Sequence, residues 1–331
     1  MAALPSVAVI VTGANLDPKN IPQVETLVEE FTNLSPTERD NERGSFVEKA
    51  FPLFFDENAV VHGSSAYEAQ RQVPWSTACW LQPRVVVLPR SAKQVGTTLS
   101  LCRFFGIKFS IHGGGHSPSI GWSSNDGGVV ISLAAFDQVK LSGDKLTADI
   151  GVGLRWLDVY KALDHYDLAV AGEGLAVPGH VCHDFRTMSS QPSLEVYETV
   201  ERVRVEQEGL LSDVEELRIS NVIQPMSSIS IKQSREVSGN PLGLEEVGQQ
   251  WFLAMADWNN PADGGHVRQA MRHIVDAVEA TAKANGTYLP YHYCNYASPD
   301  QDPLASYGTE NLEKLREIAS KYDPDGVFQT L

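Results

Sequence analysis

The chain has 331 residues and a formal charge of −16, with 42% hydrophobic and 21% charged residues. This length suffices for two domains with a sizeable core, and the balance is that of an ordinary globular protein. A surface of this sign repels nucleic acid and anionic membrane, and no apolar run reaches the roughly 18 residues of a bilayer span, so neither is expected as a partner.

Residues 1–48 read as an N-terminal extension, with turn signals and acidic patches but little sustained periodicity. The apolar start, Met1 to Val11, lacks a basic n-region and a small-residue cleavage site. Location stays open, with the cytoplasm favoured over secretion. Val11-Thr12-Gly13-Ala14-Asn15 looks like the opening of a short-chain dehydrogenase. Leu16-Asp17-Pro18-Lys19 then replaces the later glycines that bring a helix N-terminus onto a dinucleotide pyrophosphate, so no NAD site is expected.

From Arg84 the pattern sharpens. Val85-Val86-Val87-Leu88 predicts a short buried strand. Ser91 opens a helix, with Gln94 completing a capping box, Val95, Leu99 and Cys102 on one apolar face, and Gly106 at its end. Ile107 to Ile111 predicts a strand that runs into His112-Gly113-Gly114-Gly115-His116-Ser117. A further strand follows at Gly128 to Leu133, then a hairpin of Val139–Leu141 and Leu146–Ile150 turning through Gly143. Next comes a helix whose Trp156, Tyr160 and Leu163 share a face. Strands and helices in this order give an α+β unit.

The stretch from Cys182 to Asn240 is polar and weakly patterned, with strands suggested at Val222-Ile223 and Ile229-Ser230-Ile231. Val267, Met271, Ile274, Val278 and Ala282 mark an amphipathic helix ended by Gly286. Leu312, Leu315 and Ile318 mark another, stopped by Asp323-Pro324-Asp325-Gly326. Cys79, Cys102, Cys182 and Cys294 lie far apart and form no CxxC pair, so neither a zinc site nor a disulfide framework is indicated. His180, Cys182 and His183 lack further ligands at metal-site spacing, and no metal is expected. Trp75, Trp80 and Trp122 read as packing residues.

Three consecutive glycines after a strand let the backbone press against a flat or anionic ligand, or simply make a tight connection. His116 and Ser117 at the end of the run place a nucleophile beside those amides. With its neighbours, this loop carries a resemblance. Pro83 to Pro89, Gly113 to Ser117, Gly127 to Leu133, and Gly151-Val152-Gly153 with Trp156 and Tyr160 resemble the first half of the FAD-binding domain of the vanillyl-alcohol-oxidase and berberine-bridge superfamily. Tyr293-Cys294-Asn295-Tyr296, Ser306-Tyr307-Gly308 and Lys321-Tyr322-Asp323-Pro324 resemble the berberine-bridge carboxyl end. The motif blocks stand in the family's order and together cover about half the chain.

The resemblance implies an FAD-binding domain of the PCMH type at residues 49–181, with its first lobe present and no counterpart of its second, Gly-rich half. Residues 182–331 would be a partial substrate domain of α+β type. It further implies an FAD-linked oxidoreductase acting on a small hydroxylated or amine-bearing metabolite, plausible in secondary metabolism, with dioxygen as a candidate acceptor. Gly113, Gly114, Gly115, His116, Ser117, Gly174 and Asn295 are the implied cofactor-binding residues, with a single covalent flavin link through His116. Gly174 stands where relatives often carry a second linking Cys, and His112 stands where the family usually has Arg or Lys. Tyr293 and Tyr296 are the candidates for the catalytic base; core packing is the other reading of these tyrosines. The alternative function is a truncated, non-catalytic relative with weak or no flavin binding.

Overall fold

The structure, a computed structural model, describes residues 16–117, 119–168 and 182–330. The chain divides into two compact units, Met1–Gly179 with Asp325–Leu331, and His180–Pro324.

Among the described residues, two helices precede the sheet of the first unit, α1 (Ile21–Asn33) and α2 (Pro36–Phe55), where little periodicity was expected. Val24, Val28 and Phe31, at i, i+4 and i+7, are the buried stripe of α1. The stripe is one residue wide per turn and flanked by Glu25, Glu29 and Glu30, which dilutes it in the sequence. Ser35 and Glu38 form a reciprocal capping box at the start of α2, a signal that was legible. Helix α2 runs across residue 48 and buries Phe46, Val47, Phe51 and Phe55.

Strands β1 (Ala59–Val61) and β2 (Val85–Val87) pair antiparallel. Helix α3 (Ala92–Phe105) follows, then β3 (Phe109–His112) and β4 (Val129–Ser132), giving the sheet order β1-β2-β4-β3 with β2, β4 and β3 parallel. Side chains alternate across this sheet. Val85, Val87, Val129 and Ile131 pack against the helices, whereas Val86 and Val130 meet Val60 and Tyr67 on the other side. Ser91 caps α3 as expected, but Gln94 reaches back to Arg90 N, not to Ser91 N. The buried face of α3 is Thr98, Leu101, Cys102 and Phe105; Val95 lies only partly buried at its margin. The expected hairpin forms from β5 (Val139–Leu141) and β6 (Ala148–Ile150). In α4 (Trp156–Asp164) the buried residues are Val159 and Leu163, while Tyr160 stays exposed and stacks on Trp156.

The second unit is built on an antiparallel sheet of order β10-β7-β9-β8. In chain order its elements are β7 (Cys182–Ser190), α5 (Leu194–Leu210), β8 (Arg218–Met226), α6 (Ser228–Ser238), β9 (Gln249–Trp258), α7 (Gly264–Ala284), β10 (Tyr288–Leu289) and α8 (Thr309–Tyr322). Every residue of β7 is buried, so its polar sequence shows no alternation. Ile229–Ile231 is helical, not extended: Ser227 Oγ accepts from Ile229 N and starts α6. Helix α7 buries the predicted Val267, Met271, Ile274, Val278 and Ala282. Phe252, Ala254, Ala256 and Trp258 of β9 pack with α5 and α7, and Trp251 points to the opposite side. The stripe Leu312, Leu315 and Ile318 is present on α8, but no residue of that helix is buried. Strand β8 is outermost in the sheet; Glu208 Oε1 accepts from Ile219 N at 3.2 Å, and Pro225 lies near the other end of the strand.

Candidate functional site

The glycine loop leaves the C-terminal end of β3, and its three glycines have different reasons to be glycine. A Cβ on Gly113 would fall 2.2 Å from Val152 O, inside any tolerable contact. Gly115 has φ +71°, and its Cβ would sit 3.0 Å from Pro74 Cα. Both are required by the protein's own packing. A Cβ on Gly114 would meet only Arg155 Cγ, at 3.9 Å. Here the backbone lies open to a close-approaching ligand.

His116, at the end of this loop, is exposed. Trp75 holds it in place: the indole N–H donates to His116 O, and Trp75 N donates to Gly115 O at 3.2 Å. The two rings lie 5.8 Å apart, so the Trp75 segment braces the imidazole from one side. Ser117 Oγ accepts from Ser119 N at 3.2 Å and is thereby turned back into its own loop.

Beneath the loop lies a polar floor. His112 is 6% exposed, and burial pushes its imidazole below the ordinary value, against the opposing pull of its bond to Ser123 O. The neutral ring donates from Nδ1 to Ser123 O at 2.7 Å, which makes Nε2 an acceptor. That Nε2 has no partner among the described residues, nor have the buried hydroxyls of Ser132, the register neighbour of His112, and Ser123. Each unmet buried polar group costs about 1–3 kcal/mol, so this floor suits a polar ligand or ordered water. An open backbone at Gly114, an exposed imidazole and an unsatisfied polar floor fit a flat, anionic dinucleotide.

In the second unit Tyr293, Asn295 and Tyr296 sit on and beside the 3₁₀ turn Cys294–Tyr296. The Tyr293 ring packs on Trp251 at 4.6 Å and meets Tyr296 edge-on at 4.8 Å. Trp251 continues to Tyr291 at 5.0 Å, and Tyr291 stacks on Tyr307 at 5.8 Å. Tyr296 Oη donates to Gln224 Oε1 at 2.8 Å, and Asn295 Nδ2 donates to Tyr293 Oη at 2.9 Å. Gln224 and Trp251 are register partners on β8 and β9, which is why both tyrosines land side by side. Neither residue was singled out in the sequence, because β9 was not recognised and Gln224 follows a two-residue strand signal. The expected asparagine therefore touches a tyrosine.

Below the turn lies a charged cluster. Asp300 bonds Arg186, and Arg272 at 3.0 Å. Burial alone would raise the Asp300 carboxyl, but hydrogen bonds from Arg186 and Ser298, with the charges of Arg186 and Arg272, hold it down at about 2. Burial pushes the Asp184 carboxyl up to about 6 despite Arg186, Arg268 and Arg272 nearby. Gly174 and His180 lie outside the described residues, as does Val11–Asn15. Cys182 packs into the helix-side core, and His183 Nδ1 is bonded to the Asp257 carboxylate. Among the described residues no helix is long and apolar enough to cross a membrane.

A family model described as an FAD binding domain matches residues 83–203, and one described as berberine and berberine like matches residues 292–330. An FAD-dependent monooxygenase of Arthrobotrys oligospora is 23% identical over 443 aligned positions, which take in 84% of this chain and 86% of that protein. That alignment is longer than the 331-residue chain, so more than a hundred positions of the relative face no residue here. An FAD-dependent monooxygenase of Fusarium proliferatum is 35% identical over 111 residues, and this match spans only 22% of that protein's length. Among solved structures, 6-hydroxy-D-nicotine oxidase from Arthrobacter nicotinovorans superposes with a TM-score of 0.56 at 15% identity, over 85% of this chain and 98% of that one. This likeness is one of fold.

Proposed function

Because the chain belongs to the berberine-bridge-like FAD-linked oxidoreductases and has their α+β, PCMH-type fold, we propose that it oxidises a small hydroxylated or amine-bearing metabolite, with dioxygen as final acceptor. Its relatives in fungi are named FAD-dependent monooxygenases, which supports a flavin-dependent oxidation; a place in secondary metabolism is part of the same proposal. Bound FAD supplies a two-electron acceptor for hydride leaving a substrate carbon.

The observation that carries this reading is the exposed imidazole of His116 at the end of a loop whose middle glycine serves no packing purpose. In this reading His116 holds the flavin through one covalent link, a task for a neutral ring nitrogen. Trp75 fixes the imidazole's backbone, and Gly114 gives the cofactor its close backbone approach. Tyr293 takes the proton of the substrate hydroxyl or amine. The Asn295 amide donates to Tyr293 Oη, so the phenol oxygen is oriented by a residue of its own turn. Tyr296 gives its hydrogen to Gln224 and serves as a support beside it.

Acid precipitation tests the link. Protein produced with ample riboflavin is expected to give a yellow pellet, and His116→Ala a white one with the colour in the supernatant. A white wild-type pellet, or a yellow pellet from the variant, refutes the role of His116.

One observation favours a second reading, a non-catalytic relative: more than a hundred positions of the Arthrobotrys protein have no counterpart here. A dinucleotide that loses a lobe of its cradle loses contact surface and affinity. Titration with FAD decides between them: absent quenching of flavin fluorescence at high protein concentration supports the second reading.

A further inference from the structure

Strand β10 pairs with β7 only at Ser189 and Ser190. Further along that strand, the backbone of Thr187 is met by a side chain. Gln301 Oε1 accepts from Thr187 N at 3.1 Å, and Gln301 Nε2 donates to Thr187 O at 2.7 Å. A primary amide carries the same donor and acceptor as a peptide unit, so Gln301 acts as one more residue of strand. Its Oε1 also accepts from Ser298 N at 3.1 Å. Thr187 and Ser298 are 0% and 4% exposed, so solvent is not at hand to replace these bonds. Asp300, the next residue back, ties the same segment to Arg186 of β7 and Arg272 of α7.

The tyrosine turn is thus held at both ends. Tyr296 is bonded to Gln224 and Tyr293 rests on Trp251; a few residues later, Gln301 fastens the chain to the central strand. We propose that Gln301, seconded by Asp300, is the positioning residue that fixes the two phenols against β8 and β9. This rests on the reading of Tyr293 and Tyr296 as the groups that handle the substrate's proton.

The test uses the full chain with Gln301→Leu and Gln301→Glu, and follows amide hydrogen exchange. In Gln301→Leu, exchange at Thr187, Tyr296, Ala297 and Ser298 is expected to quicken about tenfold or more, with α7 unchanged. Gln301→Glu supplies a signature that mere bulk would not. A protonated carboxyl again offers one donor and one acceptor, so protection at these amides returns as pH falls through the new carboxyl's titration. Trp251 emission, taken as a difference from wild type and cancelled by Trp251→Phe, should follow the same curve. Unchanged exchange at Tyr296 and Ala297 in both variants overturns the proposal. So does quickening that includes α7, since Gln301 is then a general brace. Tyr293→Phe separates this from the underlying reading. If oxygen uptake with a substrate oxidised by the wild type survives that change, the tyrosine reading falls while the exchange result stands.

Discussion

The glycine loop and the tyrosine turn are built in opposite ways. The loop is six consecutive residues, His112 to Ser117, shaped by glycines and braced by Trp75. The turn is assembled from four separated places in the second unit: Gln224 on β8, Trp251 on β9, Thr187 on β7, and the segment that carries Tyr293 to Gln301. A contiguous site announces itself in a one-dimensional string. An assembled site announces only the piece that carries its motif, and its supports stay hidden until strand register is known.

The sharpest way to break this contrast is Trp251→Ala. Trp251 is 5% exposed and touches both Tyr291 and Tyr293, so truncation is expected to destabilise the chain by about 3–5 kcal/mol in urea unfolding. A loss below about 1 kcal/mol would mean that the turn does not depend on β9. Within the loop, Gly113→Ala drives a methyl into Val152 O and is expected to cost about 2–3 kcal/mol. Gly114→Ala should change unfolding by no more than about 0.5 kcal/mol yet weaken flavin retention in the acid-pellet assay. Equal effects of the two substitutions on unfolding would erase the division of labour drawn among these glycines.

A pH series probes the charged cluster under the turn. Asp184 has a folded pKa of about 6 against 3.8 for the free group, so between those values the native chain holds the proton more tightly than the unfolded chain. Stability is therefore expected to fall as pH rises from about 4 to 6, by about 2 kcal/mol, and then to level off. Asp184→Asn should flatten that slope. Asp300 acts in the opposite sense at lower pH: held at about 2, its contribution is lost as pH drops from about 4 through 2. An unchanged slope in Asp184→Asn would show that this carboxyl is not the titrating group.

Strands β2 and β4 of the first unit's sheet were legible because they are short apolar runs bounded by turn residues, Val85–Val87 and Val129–Ser132, whereas β1 gave no such signal. The loop was legible because Gly113 and Gly115 answer to local sterics. Strand β7 was not, since Cys-His-Asp-Phe-Arg-Thr-Met-Ser-Ser lies buried on both faces, and its partners, such as Asp257, Asp300 and Gln301, are distant in the chain. Ile229–Ile231 misled because β-branched residues also serve a helix once Ser227 caps it. Helices α1 and α2 were overlooked although Ser35 and Glu38 spelled out their junction. There the information was present and the acidic surroundings masked it.

The Ile219 N–H points away from β9, since Glu208 receives it, and alternation turns Asn221, Ile223 and Pro225 the same way. Proline has no hydrogen to offer, so a stretch of nine residues presents only Asn221 and Ile223 as an intact template within its own unit. Recruitment of a foreign chain by zipper-like growth along this rim would stall after two residues, a built-in guard against fibrous polymers.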